Sequence, residues 1–313
     1  MINHLRNTSF IPVLILIVMF GLMIGSIINE PPIIDEVPHV AAGFGYVTEL
    51  DFRLNPEHPP LIKALGALFA EVFVQPRFPT ESRFWQTDIN GQWDQGAHFL
   101  YDVNNDPDAI MFWVRIPVIL LTCLLGWLLY CWTKKRFGTS PALITLLFYA
   151  FSPTILAHGR YLTTDLGAAF GFFIGITAFL TFLEHPNAKH ILFAGLLLGI
   201  ALLLKYSTFL LLPFFFGLLV LWVLIAPAYN TKERFLLFVR LLGRTIILGL
   251  IAMFVVWGVY GLFVSNYPQE RQLHDATYLL GSYGFRPVVN LDLALIKNPL
   301  TRPLGEYLLG LLM

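Results

Sequence analysis

SFIPVLILIVMFGLMIGSII, residues 9–28, carries no charged side chain and matches the roughly 20 residues that cross the hydrocarbon core of a bilayer. A cleaved secretory signal has a shorter apolar core and a small-residue cleavage site, whereas this run leads into Asn29-Glu30-Pro31-Pro32 and reads as an uncleaved anchor. Similar uncharged runs recur near residues 116–132, 141–157, 166–183, 191–204, 206–228 and 245–265. With 57% hydrophobic and 13% charged residues and a mean hydropathy of +0.69, the 313-residue chain has too little polar surface for a water-soluble domain. The expected fold is an all-α polytopic membrane protein of about seven transmembrane helices, with a long outer loop that carries interfacial helices.

Charge sets the expected topology. Lys134-Lys135-Arg136, Lys189, and Lys232, Arg234, Arg240 and Arg244 fall in connections that alternate to one side, which the positive-inside tendency makes the cytoplasm. The N-terminus is then cytoplasmic, residues 30–115 lie outside, and Arg160, Asp165 and Lys205 reach the outer face of a plasma or inner membrane. A formal net charge of zero points to neither nucleic acid nor a soluble acidic partner. Cys123 and Cys131 share one span, too far apart along it to bridge, and read as packing residues. Asn7-Thr8-Ser9 fits a glycosylation acceptor but abuts the membrane on the inner side and is discounted. Residues 1–265 form the expected transmembrane domain, including outer loop 30–115. Residues 266–313 form an outer-face segment whose apolar, uncapped end reads as the start of a further helix in a truncated chain.

The outer loop has helical periods of its own. Val37, Val40, Phe44 and Val47 share one face, as do Leu61, Leu65, Leu68 and Val72, and both runs suit helices lying flat at the interface with an apolar face in lipid. Residues 76–107 show no clear period and read as a loop that folds over a site. Asp35 stands where a helix cap is expected, with Pro38 in the first turn. His39 lies one turn on, so it and Asp35 can share a proton or a metal ion, while capping alone explains Asp35 equally simply. In Asn55-Pro56-Glu57-His58-Pro59-Pro60, the prolines are expected to hold Glu57 and His58 extended before the next helix. The alternative is a proline-rich helix entrance whose acid favours the positive helix end. Lys63 is read as snorkelling. At the outer rim, Arg160 either grips a phosphate or carboxylate through its planar fork or closes a tight turn by pairing with Asp165. Lys205 either snorkels or binds an anion.

Taken together, Asp35-Glu36 just after the first span, the Asn55-Pro56-Glu57-His58-Pro59-Pro60-Leu61 run, Arg160 with Thr163-Thr164-Asp165, and Lys205 after an apolar helix resemble the family 39 glycosyltransferases of the GT-C class. That family includes protein O-mannosyltransferases and the aminoarabinose transferases of lipid A, and the resemblance spans about residues 9–264. It implies a sugar carried on a polyprenyl monophosphate, entering from the membrane lipid and moving to an acceptor protein, lipid or glycan at the outer face. By the same resemblance Asp35 is the catalytic carboxylate, Glu36 its support and Asp165 a second acid of the pattern. His58, Arg160 and Lys205 are the candidates for holding the donor phosphate, and Glu57 and His39 for holding a divalent metal ion. His58 stands where the aminoarabinose transferases have Lys, so its charge depends on pH.

Such a reaction passes through an oxocarbenium-like state while negative charge grows on the leaving phosphate, which cations stabilise. The sequence has no nucleotide-binding glycine loop, in keeping with a lipid-linked donor. The rival readings are a transporter or lipid flippase and a non-catalytic scaffold that binds polyprenyl phosphate. Against transport, the ionisable residues gather at one face, with no inverted repeat or broken-helix pair near the midplane.

Overall fold

The computed structural model describes residues 10–226 and 230–313. The Asn7-Thr8-Ser9 pattern and the last residues of the expected 206–228 span lie outside them. The described residues form helices and no strand, in two compact units: Met1–Glu49 with Ile62–Leu166, and Leu50–Leu61 with Gly167–Met313.

The first unit is built from Phe10–Ile27 (α1), Glu36–Thr48 (α2), Leu61–Phe73 (α3), Arg83–Gln86 (α4), Gln92–Tyr101 (α5), Pro107–Phe137 (α6), Thr139–Ala150 (α7) and Pro153–His158 (α8). Helix α1 buries a narrow stripe, Ile15, Met19, Met23 and Ile27, against Ile119 of α6 and Ala142, Leu146 and Ala150 of α7. Its other faces leave Phe10, Leu14, Ile17 and Leu22 exposed, as a helix bathed in lipid does. Helix α6 starts where the Asp106 side chain accepts from Ala109 N at 3.0 Å, with Pro107 in the first turn. It stops at Gly138, whose φ of +92° only glycine adopts without strain.

The segment between α1 and α6 is packed more closely than its sequence suggests. Helix α2 is buried on nearly every side, so the expected lipid-facing stripe on it does not exist. Two glycines allow this. A Cβ on Gly43 meets the Lys63 carbonyl oxygen of α3 at 2.4 Å, and one on Gly96 of α5 meets that of Val37 at 2.4 Å. Helix α3 does present Leu68, Val72 and Phe73 outward, as its period predicts. Residues 76–107 are not a plain loop. They contain α4 and α5, and Phe78 and Phe99 pack on Phe44 of α2 while Trp85 meets Phe78 edge-on, with Phe44 and Phe99 centroids 4.8 Å apart. Aromatic packing across elements carries no period along the chain, which is why the sequence hides it.

The second unit comprises Asp165–Glu184 (α9), Ala188–Leu204 (α10), a 3₁₀ turn at Tyr206–Leu210, Leu211–Ile225 (α11), Thr231–Phe263 (α12), Gln269–Leu279 (α13), Arg286–Lys297 (α14) and Arg302–Leu312 (α15). Helices α10 and α12 pack most intimately, through Gly195 and Gly199 one turn apart. Added Cβ atoms there meet the Leu248 and Ala252 carbonyl oxygens at 2.9 and 3.0 Å, the close approach that small residues permit between apolar helices. Asn230 and Glu233 form a reciprocal capping box at the start of α12. Helices α13 to α15 share a small core of Ala276, Leu280, Val289, Ile296 and Leu309.

Five helical stretches are long and apolar enough to cross a membrane: Phe10–Ile27, Pro107–Phe137, Asp165–Glu184, Tyr206–Ile225 and Thr231–Phe263. Two of the seven expected spans are shorter apolar helices, Thr139–Ala150 and Ala188–Leu204. The expected 141–157 span is cut at Phe151-Ser152, because the residue before Pro153 is driven out of the helical region: Ser152 has ψ of 122°.

Candidate functional site

In the first unit the Asp35-Glu36 pair divides into two unlike carboxylates. Glu36 is fully buried, and both its oxygens are used. Oε1 accepts from Arg115 Nε at 2.9 Å and Leu162 N at 2.8 Å, and Oε2 accepts from Arg115 Nη2 at 2.6 Å and Ile33 N at 3.0 Å. Arg115 also donates to the Glu30 and Pro31 carbonyl oxygens at 2.9 and 3.0 Å. One buried, charge-assisted pair thus fastens the chain after α1, the start of α2 and the 159–164 segment onto α6. Sequence reasoning passed over Arg115, although a lone charge in the apolar run between Asp108 and Lys134 signals a buried partner.

Asp35 is exposed. It occupies the cap position of α2 but makes no capping bond, because its φ of −69° and ψ of −22° are already helical, whereas a capping side chain needs extended backbone. The purely structural explanation of Asp35 therefore fails, and its carboxylate stands at the surface beside an immobilised neighbour. His39 is buried, and its Nδ1 lies 2.8 Å from the Leu162 carbonyl oxygen, which only accepts, so Nδ1 carries the hydrogen. Leu162 is thereby clipped to α2 through both its N–H and its carbonyl. Lys63 does not snorkel. It is fully buried and donates to Tyr46 Oη at 2.8 Å, over the ring face.

Arg160 pairs with Glu30 rather than with Asp165. Its Nη1 donates to Glu30 Oε2 at 2.9 Å and to the Ser26 carbonyl oxygen at 3.0 Å, and Nη2 donates to Tyr161 Oη at 2.7 Å. Tyr161 in turn donates to Glu30 Oε1 at 2.9 Å, and Arg115 Nη1 stands 3.9 Å from Glu30 Oε2. Burial, followed by the hydrogen bond to Glu30, holds the Tyr161 phenol above its usual pKa and keeps it a donor. Arg160 lines a cavity of about 300 Å³ together with Leu22, Met23, Ser26, Leu156 and Ala157. Asp165, at the start of α9, is exposed, with His158 Nδ1 3.9 Å away.

In the second unit Glu57 and His58 are held in a turn, not extended. Asn55 takes the left-handed conformation, φ +53°, and His58 N donates to the Asn55 carbonyl oxygen at 3.4 Å, with Pro56 at the second position that proline favours. Lys205 is the extended residue between α10 and the 3₁₀ turn. Its neighbour Tyr206 donates to the Pro56 carbonyl oxygen at 3.1 Å and lies 2.8 Å from Tyr260 Oη, so Tyr260 supplies the hydrogen of that second bond. Gly310 permits the arrangement, since a Cβ there meets both Tyr206 Oη and the Pro56 oxygen near 2 Å. The donor-phosphate candidates Lys205 and His58 thus flank one tyrosine-stitched corner.

The same unit holds buried acids that sequence reasoning missed. Glu306 accepts from Gln272 Nε2 at 2.6 Å, and burial raises its pKa to about 8. Asp292 is fully buried with neither oxygen hydrogen-bonded among the described residues, and burial raises it to about 7. Among the described residues, no group of three or more His, Cys, Asp or Glu is placed to hold a metal ion.

Residues 108–258 match the dolichyl-phosphate-mannose-protein mannosyltransferase family. The GT-C glycosyltransferase resemblance drawn from individual motifs is thereby met by an independent match over the spans themselves. Arg115, Arg160, Asp165 and Lys205 fall within the matched stretch, and Asp35, Glu36, His39, Glu57 and His58 precede it. The family is one of membrane glycosyltransferases, and the apolar helices make the chain an integral membrane protein. No curated protein matches the chain.

Proposed function

We propose that this chain transfers a sugar from a polyprenyl-phosphate donor to an acceptor hydroxyl at the outer face of the membrane, with inversion at the anomeric carbon. The observation that carries the reading is the division of labour in the Asp35-Glu36 pair: Glu36 is locked by Arg115, while the adjoining Asp35 carboxylate is exposed and makes no capping bond. In the mechanism, Asp35 takes the proton from the acceptor hydroxyl as its oxygen attacks the anomeric carbon. The bond from that carbon to the phosphate oxygen breaks, and the electron pair leaves on polyprenyl phosphate. A positioned base of this kind contributes about 10²- to 10⁴-fold. Arg160 meets the growing charge on the phosphate, and Asp165, with His158 Nδ1 3.9 Å away, offers a second exposed carboxylate.

The orientation that supports an outer site is the one in which Lys134, Lys135, Arg136, Lys189 and the basic start of α12 face the cytoplasm. The test is conversion by membranes expressing the chain. Radiolabelled polyprenyl-phosphate sugar should yield a glycosylated acceptor and free polyprenyl phosphate in equal amounts. Movement of solute or lipid without covalent product would overturn the reading in favour of a transporter.

A further inference from the structure

Helix α1 ends through Asn29 in the left-handed conformation, φ +56°, with Glu30 N returning to the Ile27 carbonyl oxygen at 3.3 Å. That turn, followed by Pro31-Pro32, sets the Glu30 carboxylate in front of the Arg160 fork. Two guanidinium groups and a phenol hydroxyl converge on this one carboxylate: Arg160 at 2.9 Å, Tyr161 at 2.9 Å and Arg115 at 3.9 Å. The roles of the three donors differ. Arg115 is fully buried and committed to Glu36 and two carbonyl oxygens, whereas Arg160 and Glu30 keep 17% and 25% of their side chains exposed. Arg160 also lines the cavity of about 300 Å³, whose other walls are apolar apart from Ser26. A tetrahedral phosphate monoester on an isoprenoid chain has the shape and charge of that combination, a compact anion above an apolar slot.

We propose that Glu30 is an intramolecular stand-in for the donor phosphate: it neutralises the Arg160 site when no lipid is bound and is displaced when a polyprenyl phosphate enters. This rests on the reading of Arg160 as the phosphate-binding residue and adds to it a residue that sets donor affinity. Without a counter-ion, a partly buried Arg160 beside buried Arg115 concentrates positive charge at the membrane surface and invites any anionic lipid. With Glu30 in place, an incoming anion must out-compete a carboxylate already hydrogen-bonded by Arg160 and Tyr161. A monoester phosphate does so through its larger charge and its three acceptor oxygens, and a weaker or singly charged headgroup does not. The device trades affinity for selectivity.

The test is equilibrium binding of undecaprenyl monophosphate to the full chain in lipid nanodiscs, in parallel with inorganic phosphate, for the wild type, Glu30→Gln, Glu30→Asp and Arg160→Gln. Glu30→Gln removes the competing charge and leaves one oxygen to accept where the carboxylate offered two, so lipid-phosphate binding tightens by about ten-fold, the scale of one charge-assisted hydrogen bond. Glu30→Asp keeps the charge but shortens the arm and tightens binding by a smaller factor, so the claim stays testable if the Gln variant fails to fold. Arg160→Gln loses binding, and inorganic phosphate binds much more weakly than the lipid in every case. Unchanged or weaker binding in both Glu30 variants, with Arg160→Gln still defective, would overturn the stand-in role and leave the phosphate reading of Arg160 standing. Wild-type affinity in Arg160→Gln would remove both. Equal affinity for inorganic and lipid phosphate would overturn the part played by the apolar slot.

Discussion

Glu36 and Arg115 are the side chains that fasten the segment after α1 to α6, because each is fully buried and each satisfies the other's charge. Replacing Arg115 by Ala strands the Glu36 carboxylate in the interior and should cost about 3–5 kcal/mol, the usual cost of breaking one side of a buried pair. Thermal unfolding in detergent would register it as a large fall in midpoint. Asp35→Asn, at an exposed position without a capping bond, should leave that midpoint unchanged. The adjacency of the two acids was legible in the sequence. Their opposite fates were not, because Arg115 lies 79 residues from Glu36 and only the folded chain brings them together. For the same reason Glu30 escaped notice: its partners are 85 and about 130 residues away, at Arg115, Arg160 and Tyr161.

At the scale of elements, close backbone approach and buried acid decide the behaviour. Gly43→Ala places a methyl group against the Lys63 carbonyl, so α2 and α3 must separate, at about 1–3 kcal/mol for overpacking, measurable in denaturant titrations. In the α14–α15 pair, Asp292 and Glu306 are raised from 3.8 and 4.5 to about 7 and about 8. A raised carboxyl binds its proton more tightly in the folded than in the unfolded state. Its stabilising contribution is therefore fully present below the unfolded value near pH 4 and is lost as pH rises through about 7 to 8. Stability should decline from pH 5 to pH 8, and Asp292→Asn should flatten that decline by stabilising the protein at the alkaline end; melting curves at the two pH values check it. Helix positions were readable here because apolar runs and basic punctuation are local signals. Helices α4 and α5 were not, since they are held by Trp85 packing on Phe78 and Phe99 packing on Phe44 rather than by any period of their own. The Glu57-His58 turn could have been found from Asn55-Pro56, a pair that favours the first two turn positions.

For the whole molecule, the apolar helices make the chain an integral membrane protein, and residues 108–258 match a family of membrane glycosyltransferases. Composition made the membrane class legible at once, because lipid-facing residues such as Leu14, Ile17, Phe148 and Phe254 must be apolar whatever their packing. The pairing of ions was illegible for the opposite reason, since it depends on which helices meet. The most direct measurement is sugar transfer from a radiolabelled polyprenyl-phosphate sugar by the purified chain in lipid nanodiscs, comparing the wild type with Asp35→Asn at matched folding. Transfer by the wild type that falls by about 10²- to 10⁴-fold in the variant, with an unchanged unfolding midpoint, is the predicted result. Transfer undiminished in Asp35→Asn, or absent from the correctly folded wild type, would contradict it.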